Sequence, residues 1–182
     1  MDIRILKTKN KLYKAFISLI DKERIKDITV LELCKEAKVN RTTFYKYYLD
    51  VEDFTNKYEE ELLEELKGNI KNINRNYLLS FTNNTIETIK KDKSTYLNLL
   101  GPNGDANFLK KILYIVKNES IEEWHKLLKK ATENDLNHIY NFIVDGITGI
   151  INEWIKSNCK EDSEQIEIFI NKICMSGLSS FI

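Results

Sequence analysis

Apolar positions recur three and four residues apart along nearly the whole chain, the spacing of amphipathic helices rather than strands. Residues 3–22 read as one helix, with Leu12, Phe16, Ile17 and Ile20 on a common face and basic residues beside them. Thr29-Val-Leu-Glu32 has the form of a capping box, in which the hydroxyl accepts from the Glu32 amide and the carboxylate from the Thr29 amide. It opens a short helix over 30–37 whose Val30, Leu33 and Ala37 face inward. Asn40 then caps a second short helix, Arg41 to about Tyr47, and Asp50 caps a long fourth one. That fourth helix runs into the acidic stretch 59–65, read as a solvated face. Further helices are predicted over 76–91, 94–100 and 105–130, with Ser120-x-x-Glu123 as a point where the last can restart. Gly101-Pro-Asn-Gly104 is the clearest loop. Thr132-x-x-Asp135 introduces a long helix to about Asn158, and a final helix covers 163–181. One proline and six glycines leave few breakers. The predicted fold is all-α, without repeats, low-complexity linkers or strands.

Composition narrows the class. With 182 residues and 42% hydrophobic side chains the chain can bury a sizeable core. It has no run of the ~20 apolar residues that a bilayer span requires. Charges at Asp2, Arg4, Lys7, Lys9 and Lys11 precede no long apolar run, so a signal peptide is not expected. Cys34, Cys159 and Cys174 are odd in number and widely spaced, as expected of reduced thiols in a cytoplasm. The formal net charge is zero, yet residues 1–49 carry 12 Lys and Arg against 6 Asp and Glu. The remainder carries 16 against 22. A small basic head that meets a polyanion and an acidic body that does not is one reading; a chance fluctuation is the other.

Segment 28–48 gives that charge a purpose. Two short helices joined by about three residues, with small or apolar residues at their contact, form a helix-turn-helix. Ala37 lets the helices cross closely, Val39 plugs the turn, and Phe44 points back into the core. Arg41, Thr42, Thr43, Tyr45 and Lys46 then face outward together, offering cations, hydroxyls and a phenol to base edges and phosphates.

Residues 28–54 resemble the DNA-binding domain of the TetR family of transcriptional regulators. Thr29-Val30, Ala37, Val39, Thr43-Phe44-Tyr45 and Phe54 anchor the match, which covers most of residues 8–58. Residues 142–154 are similar, less specifically, to the subgroup that regulates dihydroxyacetone kinase operons, some of whose members activate. The resemblance implies a three-helix DNA-binding domain over 1–49 and a helical-bundle ligand-binding and dimerisation domain over 50–182. It implies DNA contacts from Thr29, Asn40, Arg41, Thr42, Thr43, Tyr45, Lys46 and Tyr47. The function implied is a homodimeric repressor on a palindromic operator, released by a small-molecule effector. An activator, or a DNA-independent co-regulator acting through a partner protein, is the alternative. Three departures stand out. Lys38 replaces the family's turn glycine, Asn40 its cap serine, and Val51 a lysine that meets a phosphate, with Lys46 or Lys57 as possible substitutes.

The body should pair and sense. Leu136, Ile139, Tyr140, Ile143, Ile147, Ile150, Ile151 and Trp154 form one broad stripe, and Ile166, Phe169, Ile170, Ile173, Gly177 and Phe181 another. A homodimer through 136–154 and 163–181 is expected, with Gly146 and Gly149 permitting close approach; an internal core stripe is the other reading. Candidate effector-pocket residues are Phe81, Tyr96, Tyr114, Trp124, His125, His138 and Phe142. No metal-ligand spacing, phosphate loop or catalytic constellation is found, so neither an enzyme nor a cofactor is expected.

Overall fold

The computed structural model describes residues 3–68, 76–105 and 107–182; Asp2 lies outside them. Among the described residues every regular element is helical. Helix α1 (Ile3–Ile20) leads through a 3-10 turn (Ile25–Asp27) to α2 (Val30–Ala37), α3 (Arg41–Phe44) and α4 (Val51–Gly68). There follow α5 (Tyr77–Lys91), α6 (Lys93–Leu99), α7 (Phe108–Tyr114), α8 (Lys117–Leu127), α9 (Glu133–Lys156) and α10 (Ser163–Leu178). Two compact units result. One comprises Met1–Glu64 with Ser94–Ala106, the other Glu65–Lys93 with Asn107–Ile182.

In the first unit Leu12, Phe16, Leu33, Phe44 and Phe54 are fully buried. The Phe54 ring is the hub. Its centroid lies 5.1 Å from Phe16, 6.0 Å from Phe44 and 4.9 Å from Tyr48. Tyr13 stacks on Tyr58 at 4.1 Å and donates its hydroxyl to Glu61 at 2.6 Å. Burial and that bond hold the phenol well above its ordinary pKa. Lys9 pairs with the same carboxylate.

A distant segment completes this unit. The side-chain amides of Asn98 and Asn103 donate to the Ile17 and Ile20 carbonyls, at 3.1 and 2.9 Å. Ile25 N–H donates to the Asn103 carbonyl at 3.0 Å. The last carbonyls of α1, where a helix runs short of its own donors, are therefore capped from the end of α6 and the loop after it. Gly104 permits that loop, because a Cβ there would sit 1.9 Å from the Leu99 carbonyl oxygen. The acidic stretch 59–65 is not wholly a solvated face, since Glu59 is buried.

The second unit centres on Tyr140, fully buried, whose hydroxyl donates to the Leu113 carbonyl at 2.7 Å. Tyr114 and Trp124 pack on its ring at 5.7 and 5.8 Å. The expected helix over 105–130 divides at Ile115–Val116, not at Ser120. Ser120 is buried within α8 and donates its hydroxyl back to the Val116 carbonyl. Glu123 has a different task from the one its spacing suggested. Its carboxylate accepts from the Asn76 and Tyr77 amides, at 2.7 and 3.0 Å, and so caps α5. The Thr132–Asp135 box at the head of α9 forms as expected.

Among the described residues of the first unit, Lys38 is the one at positive φ. It sits in the left-handed region at φ 53°, ψ 44°, and Val39 N–H closes the helix end on the Cys34 carbonyl at 3.0 Å. A side chain in that region costs roughly 1 kcal/mol, part of which glycine returns through its freer unfolded chain. Lys38→Gly should stabilise the protein by roughly 0.3–1 kcal/mol. The urea midpoint should rise with an unchanged m-value; an unchanged or lower midpoint would show that the lysine side chain offsets its own strain.

Candidate nucleic-acid interface

The helix-turn-helix forms from the local chemistry of its caps and one anchor. At the start of α2 the Thr29 hydroxyl accepts from Glu32 N–H at 3.2 Å, and Glu32 Oε2 accepts from the Thr29 amide at 3.0 Å. The Thr29 hydroxyl proton goes to the same oxygen at 2.5 Å. These bonds, the side-chain one first, lower the Glu32 pKa. Asn40 Oδ1 accepts from Thr42 N–H at 2.8 Å and fixes the start of α3. Phe44, fully buried, pins the other side of that turn.

What Phe44 buries determines what its neighbours expose. Arg41, Thr42 and Lys46 are exposed, Tyr45 is 56% exposed, and Thr43 and Tyr47 are half-buried. Tyr45 rests its ring edge-on against Phe44 at 5.6 Å, which holds the phenol outward on a fixed base. Helix α3 ends at Phe44, sooner than the sequence suggests. Tyr47 and Tyr48 N–H both still donate to the Phe44 carbonyl, at 2.9 and 3.1 Å, so the helical path continues as a tight turn. Tyr48 is buried against Phe54.

The two expected substitutes for the lysine missing at Val51 differ in kind. Val51 is buried and presents no cation. Lys57 is tethered, donating to Asp53 Oδ2 at 2.8 Å and to the Tyr47 carbonyl at 3.0 Å. Its ammonium also lies 5.5 Å from the Tyr48 ring centroid. Asp53 answers by accepting from Leu49 N–H at 2.9 Å, and its pKa is lowered, chiefly by Lys57. Lys57 thus ties the α3–α4 turn together, while Lys46 stands exposed on the turn after α3.

The seven residues expected around an effector do not form one wall. Phe81 and Trp124 are buried in the second unit, with Tyr114 half-buried beside Tyr140. Tyr96 is buried in the first unit, and His125 is exposed on α8. His138 and Phe142 instead line an apolar groove of about 600 Å³ between α9 and α10. Phe142 is 79% exposed there, with Phe169 and Ile173 about half exposed on the facing helix. A Cβ at Gly146, Gly149 or Gly177 would meet nothing within 4 Å. Among the described residues no His, Cys, Asp or Glu group converges as metal ligands, and no helix is long and apolar enough to cross a membrane. All three cysteines are free thiols.

Among the described residues the chain is all-helical, in two units, with a capped helix-turn-helix near its start. A family model described as the C-terminal region of transcriptional regulators, of TetR type, matches residues 76–176, more than half of the chain. The chain belongs to the TetR family of transcriptional regulators. Solved structures share the fold end to end. The dihydroxyacetone kinase operon activator DhaS superposes with a TM-score of 0.66 at 20% identity, covering 96% of this chain and 97% of that one. The fatty acid degradation regulator FadR from Bacillus halodurans gives 0.68 at 16% identity, covering 94% and 96%. A TetR transcriptional regulator from Streptococcus agalactiae gives 0.66 at 21%, covering 94% and 95%. No curated protein sequence matches significantly.

Because Thr29 and Asn40 hold α2 and α3 through their own side chains, Thr29→Ala and Asn40→Ala should each lower the unfolding free energy by about 1 kcal/mol. Urea denaturation followed by circular dichroism reads this. A loss below about 0.3 kcal/mol in both would show that the tertiary anchors, not the caps, set the helix starts.

Proposed function

We propose that this chain is a homodimeric repressor that reads a palindromic operator with the exposed side of α3, assigned to residues 1–49, and pairs through α9 and α10. The observation that carries the reading is the division at Phe44. The ring is fully buried, and Arg41, Thr42, Tyr45 and Lys46 stand outside it. Arg41 and Lys46 supply charge for phosphate or guanine, and the threonine and tyrosine groups supply hydroxyl and apolar contact to base edges. Thr43 and Tyr47 are placed at the edge of this surface. Thr29 and Asn40 act first as caps, with their helix starts turned to backbone phosphates.

Pairing is supported by the α9–α10 groove. Exposed Phe142, Phe169 and Ile173, with three glycines whose side-chain space is open, make an apolar surface of the kind soluble proteins cover. A second copy related by two-fold symmetry covers it with the same groove and sets two α3 helices toward successive major grooves, about 34–36 Å apart. Occupancy of a promoter by such a dimer represses without contacting polymerase. Release by an effector requires that it bind one head spacing better than another.

Duplexes enriched by the wild-type protein from a randomised pool serve as the probe, with affinity read by fluorescence anisotropy across a salt series. Tyr45→Ala and Lys46→Ala should weaken binding without unfolding the protein. Lys46→Ala should also flatten the log–log salt slope by about 0.9, one phosphate contact. A folded dimer that binds no duplex at about 50 mM salt would overturn the reading and favour action through a partner protein.

The pairing has its own test. Ile147 is 1% exposed in the single chain, so charge there would damage the fold itself. Phe142→Glu and Phe169→Glu alter exposed positions instead. In sedimentation equilibrium each should shift the protein to monomer with its helical signal intact. An undisturbed dimer in both variants would place the interface elsewhere.

A further inference from the structure

The outer face of α1 carries a charge pattern that the helix itself does not need. Leu12, Ala15, Phe16, Leu19 and Ile20 are buried on one side. On the opposite side Arg4, Lys7, Lys11 and Lys14 are all exposed. Their spacing of three, four and three residues sets them in one row along the helix. Lys9 lies on the core side instead, half-buried and paired with Glu61 of α4. Helix α1 contains no Asp or Glu; in the sequence Asp2 precedes it and Asp21 follows.

Such a row works against folding. Like charges three or four positions apart on a helix repel one another. A cation in the first turn, here Arg4, also opposes the helix dipole. A polyanion relieves both costs, and duplex DNA fits the row. Ten residues of helix span about 15 Å. One duplex strand presents a phosphate per about 3.4 Å of axis, so about four phosphates face four cations. The row also belongs to the unit that holds the helix-turn-helix. An anionic membrane suits it less, because Ile3 and Leu6 are the large apolar side chains that α1 exposes and the rest of its apolar face is spent on the core.

We propose that the outer face of α1 is a second DNA-contacting surface, one that binds the phosphate backbone of any duplex without reading its sequence. Phosphate contacts carry no direct sequence information, and binding of this kind keeps a regulator on DNA between specific sites. The inference deepens the reading of the head as a DNA-binding unit and rests on it. Helix α3 and the outer face of α1 are nevertheless separate surfaces with separate readouts.

Fluorescence anisotropy with the full chain and a labelled duplex of scrambled sequence, across a salt series starting near about 50 mM, tests the inference. Lys7→Ala, Lys11→Ala and Lys14→Ala combined should weaken binding and flatten the log–log salt slope by about 1.8–2.7, two to three phosphate contacts. Alanine is a strong helix former, so the helical signal should stay intact. Lys126→Ala, Lys129→Ala and Lys130→Ala combined, all exposed in the second unit, control for net charge and should leave the slope unchanged. The preference for enriched over scrambled duplex, assigned to α3, should survive in the α1 variant. An unchanged slope in the α1 variant, an equal loss in the control variant, or no binding of wild type to scrambled duplex would each overturn the proposal. So would tighter binding of the same lysines to phosphatidylglycerol vesicles than to duplex, which would assign the face to a membrane surface. Scrambled-duplex binding through α1 with no sequence enriched would count against the α3 reading alone. A preserved preference with an unchanged slope would count against the α1 surface alone.

Discussion

The placement of Phe54 constrains everything the head can present. Its ring packs against Phe16 of α1, Phe44 of α3 and Tyr48 of the following turn. A helix of four residues such as α3 has almost no stability of its own, because nucleation costs more than one turn of hydrogen bonds returns. Tertiary anchoring has to supply the difference. Phe44 does so by entering the aromatic cluster, and the direction of that single side chain decides that Arg41, Thr42, Tyr45 and Lys46 look outward. Burial and exposure on α3 are one decision seen from two sides.

The polar framework keeps that arrangement from slipping. Thr29 with Glu32 and Asn40 with Thr42 fix where α2 and α3 begin. Lys57 then draws Asp53 and the Tyr47 carbonyl together, so the entry to α4 is tied to the exit from α3. A lysine so engaged gives positional stiffness rather than a free charge. In the proposed interface the cationic duty falls instead on Arg41 and Lys46, both exposed. The left-handed Lys38 fits the same logic. Its strain is tolerated because the turn it closes is held by Cys34 and Val39 on either side.

Local chemistry was the legible part of this molecule. Both capping boxes, the Asn40 cap and the inward Phe44 follow from spacings of three or four residues, which a sequence displays directly. The features that eluded it depend on partners far along the chain. Glu59 looks like one more solvated carboxylate until the turn at residues 24–28 and the loop at 102–105 are seen to border it. Asn98 and Asn103 carry no periodic signal, yet they cap α1 from about eighty positions away. Ser120 and Glu123 have the spacing of a helix start, but Ser120 is spent on Val116 and Glu123 on α5. The seven expected pocket residues share a stretch of predicted helices and suitable side chains, yet they do not meet. Tyr96 belongs to the first unit, and helical periodicity does not report which unit a helix joins.

The second unit shows why periodicity also left two readings of α9 open. Tyr140, Val144, Ile147 and Ile151 face the interior, while Phe142, Gly146 and Gly149 are exposed. A helix apolar on one side needs one cover; a helix apolar on two needs a second. The stripe therefore serves the core on one side and leaves apolar positions uncovered in the single chain on the other. Glycines on the outer side sharpen the distinction. They relieve no crowding within the chain, since a Cβ at Gly146 or Gly149 would meet open space, and each costs helix stability relative to alanine. Residues that weaken a helix without serving its own packing make sense where another backbone approaches closely. In the proposed dimer that backbone belongs to the second copy, and the same small residues that weaken α9 alone let two such helices cross.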